Sequence, residues 1–242
     1  MLATALCSVC AFAAQAGDTL RVATNAVYPP FEFHQNGEVT GFEIDLIKAM
    51  AKQMGKEIEL IDMKFDGILP AVLTNTIDVG ASGFSVTEER AKKVAFVDPF
   101  YTSGLTILVP QGSTIKNFKD LEGKKISVQL GTTSQQLAKS IKDTKVTTFD
   151  SPSDAVLNML GGQADAVIND KPVTDYMLTQ NRDFAKKLVH LPEVATADQF
   201  AMIANKKNTE LVQALNAALA ELKKNGTYDR LHVKWFGKKA TE

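Results

Sequence analysis

The chain has 242 residues, 45% hydrophobic and 23% charged, enough apolar sequence for one large or two small globular domains. Its formal net charge is −1, so nothing in its charge points to nucleic acid or to an anionic membrane surface.

Met1 to Ala16 carries no charge, and Leu2 to Phe12 is mostly apolar. Ala14-Gln15-Ala16 is a small-x-small cleavage pattern, and Asp18 opens charged sequence, so residues 1–16 read as a secretory signal peptide without the usual basic start. The stretch is too short to span a bilayer as a helix. Both cysteines, Cys7 and Cys10, fall inside it. The mature protein is therefore expected to be exported and soluble, with no disulfide, thiolate metal site or cysteine nucleophile.

Leu20 to Thr24 has a strand pattern, and Tyr28-Pro29-Pro30-Phe31 a rigid turn, because two prolines block both helix and ladder. Asn36-Gly37 marks a hairpin-like turn. Ile47, Met50, Ala51 and Met54 recur at helical spacing until Gly55. Ile58 to Ile61 is a strand, Phe65-Asp66-Gly67 opens a helix through Leu73, and Ile77 to Ala81 is a third strand. That order, β-α-β-α-β, argues for a parallel sheet flanked by helices.

Val94 to Phe96 and Thr106 to Val109 are strand-like, and Lys116 to Gly123 holds a short helix at most. A second β-α-β-α-β cycle follows. Its strands are expected from Lys125, over Val146 to Phe149 and over Ala164 to Ile168, with helices around Gln135 to Ile141 and after a Ser153 cap. Phe200 to Ala204 is strand-like, and Thr209 is expected to cap a helix bearing Leu211, Leu215, Ala218, Leu219 and Leu222. Tyr228, Leu231 and Trp235 form a last apolar stripe, expected to pack on the first unit. His34, His190 and His232 have no metal spacing and read as surface residues.

Candidate ligand groups lie where strands end, which is where open parallel sheets place ligands. Asn25 to Tyr28 follow the first strand. Ser82 to Ser85 follow the third, Gln129 to Thr133 open the second unit, and Asn169-Asp170 follow its third strand. In Ser82-Gly83-Phe84-Ser85-Val86-Thr87-Glu88-Glu89-Arg90, Gly83 admits close backbone approach. Ser85 and Thr87 offer hydroxyls near a helix start, and Arg90 can grip a carboxylate with two parallel hydrogen bonds. Taken alone, Tyr28 and Phe65 fit core aromatics equally, Asp170 a helix cap, and Asn25 a turn residue. No P-loop, dinucleotide fingerprint, nucleophile elbow or zinc motif is present, and no cofactor or metal is expected.

Eight short motifs occur in one order: Ala23-Thr24-Asn25-x-x-Tyr28-Pro29-Pro30-Phe31-Glu32, Gly41-Phe42-Glu43-Ile44-Asp45-Leu46, Phe65-Asp66-Gly67-Ile68-Leu69-Pro70, Thr87-Glu88-Glu89-Arg90, Asp98-Pro99-Phe100-Tyr101, Gly131-Thr132-Thr133-Ser134, Ala164-Asp165-Ala166-Val167, and Asn225-Gly226-Thr227-Tyr228 with Lys234-Trp235-Phe236-Gly237. Through them nearly all of the mature chain resembles the periplasmic polar amino-acid-binding proteins of bacterial ABC importers.

The resemblance implies an α/β, two-lobed periplasmic-binding-protein type II fold with two crossover hinge strands. Lobe 1 would be 17–102 and 199–242, and lobe 2 would be 103–198. It implies that Arg90, with backbone N–H groups of Ser85 and Thr133, holds a ligand α-carboxylate. The Gly83 carbonyl, the Ser85 hydroxyl and Asp170 would hold the α-ammonium, and Tyr28 and Phe65 would sandwich the stem. Asn25, Ser82, Gln129, Thr132 and Asn169 would face the side-chain tip.

The implied partners are an L-amino acid, glutamine- or arginine-like, and a membrane ABC permease. The implied protein is a periplasmic monomer that closes on its ligand. Relatives usually carry Asp where this chain has Asn25, which argues against a strongly cationic ligand unless Glu32 or Asp170 compensates. Two other classes remain open: a cyclohexadienyl-dehydratase-like enzyme on the same fold, and the sensor domain of a larger receptor. The enzyme needs a general acid in the cleft, where Asp170 is already assigned to the ammonium.

Overall fold

The computed structural model describes residues 19–240; the expected leader over residues 1–16 lies outside the described residues. Thr19–Thr24 runs parallel to Glu57–Asp62 on one side and to Val79–Gly80 on the other. Ile203–Ala204 joins antiparallel, followed by Ala95–Phe96, giving a five-stranded sheet. The third strand is shorter than the apolar run suggests: Ile77 and Ala81 are buried but lie outside the Val79–Gly80 ladder. Helix Phe42–Gln53 buries Phe42, Ile44, Leu46, Ile47, Met50 and Ala51. Helix Thr209–Lys224 buries its Leu211–Leu222 stripe in the same core.

The second sheet repeats the design. Lys125–Gln129 lies between Lys145–Phe149 and the central strand Ala166–Asp170, parallel to both; Leu105–Pro110 pairs antiparallel with Ala166–Asp170, and Leu188–His190 antiparallel with Leu105–Pro110. The chain passes between the two sheets twice. These two passages, Tyr101–Ser103 and Asp198–Phe200, pair with each other as a two-stranded antiparallel ladder. The mixed sheets, flanked by helices, form two α/β lobes.

Three local readings change. Ser151, not Ser153, caps helix Pro152–Leu160: its Oγ accepts from Asp154 N at 3.1 Å, and Pro152 stands at a helix start, where a missing N–H costs nothing. Asn208 rather than Thr209 caps the long C-terminal helix, its Oδ1 accepting from Leu211 N. Helices Lys171–Gln180 and Arg182–Lys187 were not legible, because polar residues interrupt their apolar period.

The histidines also differ from expectation. His34 is exposed, but His190 is half-buried, with Nδ1 2.9 Å from Asp175 Oδ1 and Nε2 2.7 Å from Thr106 Oγ1. His232 is only 6% exposed. It sits one helical turn after Tyr228 on the inward face of helix Thr227–Phe236, against Phe42 and Phe236, and its Nδ1 meets the Lys238 carbonyl at 2.7 Å.

Candidate ligand-binding cleft

The carboxyl ends of Thr19–Thr24 and Val79–Gly80 face those of Lys125–Gln129 and Ala166–Asp170. Between them is a narrow cavity lined by Asn25, Tyr28, Phe65, Ser82, Gly83, Ser85, Arg90, Gln129, Thr132, Thr133 and Asp170. Both lobes therefore contribute, as the strand-end argument requires. Asn169 is the exception. Its side chain turns away and Nδ2 donates to Thr174 Oγ1 at 3.3 Å. Alternation explains this: residues 169 and 170 are strand neighbours and point to opposite faces.

Arg90 lies on helix Glu88–Lys93, which Thr87 caps by accepting from Arg90 N. The residue is 7% exposed, and its guanidinium sits 5.6 Å from the Phe65 ring centroid and 5.2 Å from that of Phe84, two rings stacked at 4.6 Å. Nη1 donates to Ser85 O at 2.9 Å and Nη2 to Gly131 O at 3.1 Å across the cleft. Burial lowers its pKa, offset in part by Asp170. No carboxylate stands at ion-pair distance from it among the described residues. Of five N–H donors, two are spent on carbonyls.

Asp170, 4% exposed, ends its strand and does not cap the following helix with its side chain. Its Oδ2 accepts from the Tyr28 hydroxyl and its Oδ1 from Ser103 Oγ at 2.7 Å. Burial pushes its pKa up to about 6, while the two hydroxyls pull the other way. The Tyr28 hydroxyl is held well above its ordinary pKa by burial and by that carboxylate. Ser103, on the passage strand Tyr101–Ser103, had no signal in the sequence.

At the other end of the cavity, Asn25 N donates to Ser82 Oγ at 3.0 Å, and Gln129 Nε2 bridges Asn25 Oδ1 (2.9 Å) and Asp150 O (3.0 Å). Among the described residues this leaves the Asn25 amide N–H₂ and the Gln129 side-chain carbonyl without a hydrogen-bond partner. Thr132 caps helix Thr133–Ser140, and its hydroxyl donates to Gln129 O at 2.7 Å. Ser85 Oγ and Thr133 Oγ1 meet across the cleft at 3.4 Å, and at the rim Lys64 pairs with Asp150 at 2.7 Å. Cleft-spanning contacts thus join the two lobes from one end of the cavity to the other.

Chemically, the cavity offers a buried cation with spare donors at one wall, a carboxylate at another, and neutral amides at its far end. Among the described residues no cluster of three or more His, Cys, Asp or Glu could hold a metal, and no helix is long and apolar enough to cross a membrane.

Residues 20–238 match the family described as bacterial extracellular solute-binding proteins, family 3. The chain is similar to a probable histidine-binding protein of Campylobacter jejuni, 35% identical over 90% of this chain and 84% of the relative. It is also similar to the solved structure of an ancestral arginine-binding protein bound to arginine, at 42% identity and TM-score 0.87, covering 91% of this chain and 99% of that one. An ancestral arginine-binding protein bound to glutamine matches at 42% identity and TM-score 0.84 over the same shares of the two chains.

Proposed function

The chain belongs to the bacterial extracellular solute-binding proteins, family 3, and from that premise we propose that it captures a polar L-amino acid in the interlobe cleft and delivers it to a membrane ABC importer. The observation that carries this is Arg90: a buried side chain with no carboxylate at ion-pair distance among the described residues, facing a cavity whose opposite wall holds Asp170. A buried charge left unpaired costs several kcal/mol, so the arrangement favours a ligand that brings a carboxylate to Arg90 and an ammonium to Asp170. An α-amino acid brings both.

In this reading Arg90 and the backbone N–H groups of Ser85 and Thr133 hold the carboxylate. Gly83 O, Ser85 Oγ and Asp170 hold the ammonium, Tyr28 and Phe65 clasp the stem, and Asn25, Ser82, Gln129 and Thr132 line the path of the side-chain tip. The uncharged amides of Asn25 and Gln129 suit a neutral polar tip such as glutamine and accept donors from arginine. The strands Tyr101–Ser103 and Asp198–Phe200 serve as hinges between a lobe of 17–102 and 199–242 and a lobe of 103–198, working as a monomer outside the cytoplasmic membrane. Calorimetry against the twenty amino acids, on protein refolded to strip carried-over ligand, is expected to show tight binding of glutamine, arginine or both. No heat with any of the twenty would overturn the reading, and turnover of prephenate-like acids would point to an enzyme instead.

A further inference from the structure

Two acids outside the cavity lining meet directly behind its floor. Glu32, on strand Glu32–Gln35, and Glu43, in the first turn of helix Phe42–Gln53, are both completely buried. Among the described residues no Lys or Arg pairs with either, and the two carboxyls lie close enough for each to act on the other's ionisation. Each has one oxygen with a protein donor. Glu43 Oε2 accepts from Gly83 N at 2.7 Å, and Glu32 Oε1 from Ser82 Oγ at 3.4 Å. The remaining two, Glu32 Oε2 and Glu43 Oε1, are buried without a donor. Two facing carboxylates would repel in such a site, whereas one proton between them supplies the missing hydrogen bond.

The pair grips the turn that the cavity depends on. Gly83 has φ +56, a left-handed conformation, and a Cβ there would lie 3.2 Å from the Tyr28 ring and 3.5 Å from Glu32 Oε1. Its backbone is therefore pressed between a cavity wall and the acids. Ser82 Oγ, while donating to Glu32, accepts from Asn25 N at 3.0 Å.

We infer that Glu32 and Glu43 are a single proton-sharing acid pair that positions Asn25, Ser82 and the Gly83 carbonyl for ligand, acting through the turn without touching the ligand. Burial raises the pKa of both acids, and for Glu32 the neighbouring Glu43 adds to it, which is consistent with a retained proton. The titratable group facing the pair from the cavity side is the Tyr28 hydroxyl, with Asp170 behind it.

The positioning role rests on the amino-acid reading; proton sharing does not, and the test separates them. Affinities for L-arginine and L-glutamine are measured by calorimetry for wild type, Glu43→Ala, Glu43→Gln and Glu32→Gln, and ligand-free melting is followed from pH 5 to 9. Removing the acceptor of Gly83 N–H in Glu43→Ala is expected to weaken both ligands about tenfold or more, with their ratio unchanged, because the Gly83 carbonyl serves the part common to both. Either amide keeps an acceptor or donates across the pair, so Glu43→Gln and Glu32→Gln should stay within about threefold of wild type. A retained proton makes wild-type melting temperature fall as pH rises from about 5 towards the raised pKa, and Glu32→Gln should fall less steeply. Superimposed melting profiles would overturn proton sharing even if no amino acid bound. Wild-type affinity in folded Glu43→Ala, or Glu43→Gln as weak as Glu43→Ala, would overturn the positioning role.

Discussion

Replacing Arg90 with alanine tests the charge logic of the cleft most directly. The guanidinium is buried, lies against the Phe65–Phe84 stack, and holds Ser85 O and Gly131 O from opposite lobes. Its loss removes the partner of the ligand carboxylate and one cleft-spanning hydrogen bond together. Truncating one member of a desolvated charge pair costs about 2–5 kcal/mol, or roughly 30-fold to several thousand-fold in Kd. Arg90→Lys should recover little, because one ammonium cannot serve two carbonyls and a carboxylate with planar geometry. In ligand-free protein the same guanidinium is desolvated without a counter-charge, so its removal should shift Tm by only a few degrees, on the order of 1 kcal/mol. Calorimetry gives the affinity and ligand-free scanning calorimetry the stability. An Arg90→Ala protein that is folded and binds within about threefold of wild type would refute the reasoning.

Asn25→Asp keeps an oxygen for Gln129 Nε2 and replaces the cavity-facing N–H₂ with a charged acceptor. The arginine-to-glutamine affinity ratio should rise by about 1–3 kcal/mol, read from four titrations. Asp170, with its pKa raised to about 6, must be ionised to hold an ammonium, so affinity should fall by up to about tenfold per pH unit below 6. The ligand-free fold has the opposite sign: a raised carboxyl pKa adds stability that is fully present below about 3.9 and lost as pH rises to 6. Asp170→Asn should flatten both profiles. A Cβ at Gly104 would lie 2.3 Å from Thr196 O and 2.4 Å from Val194, so Gly104→Ala should force the inter-lobe passage apart and cost about 1–3 kcal/mol in thermal unfolding. Lys64→Ala breaks a solvent-exposed rim pair and should change affinity by less than about threefold, a difference that high salt erases.

The strand and helix order could be read from the sequence because local periodicity encodes it. Leu20 to Thr24, Ile58 to Ile61 and the Leu211–Leu222 stripe each need only their own spacing to declare a strand or a buried helix face. The strand-end rule points to Asn25, Ser82, Gln129 and Asp170 from sequence alone, since a parallel sheet has only one end at which loops and helix starts converge on a ligand. Arg90 was readable for a chemical reason: no other side chain offers a planar fork beside a glycine turn.

The tertiary structure decided what depends on partners distant in sequence. Asn169 and Asp170 are adjacent and both polar, and only the strand's facing sends one to Thr174 and the other to Tyr28 and Ser103. His232 looked like a surface residue because its burial depends on Phe42 and Phe236 closing over its helix. Glu32 and Glu43 sit in separate motifs eleven residues apart, and nothing in their spacing pairs them. Folding strand Glu32–Gln35 against the start of helix Phe42–Gln53 buries both beneath the Gly83 turn, where desolvation raises the pKa of each. Sequence spacing encodes which face of an element is apolar; what a buried charge meets there is set by contacts that exist only once the chain has folded.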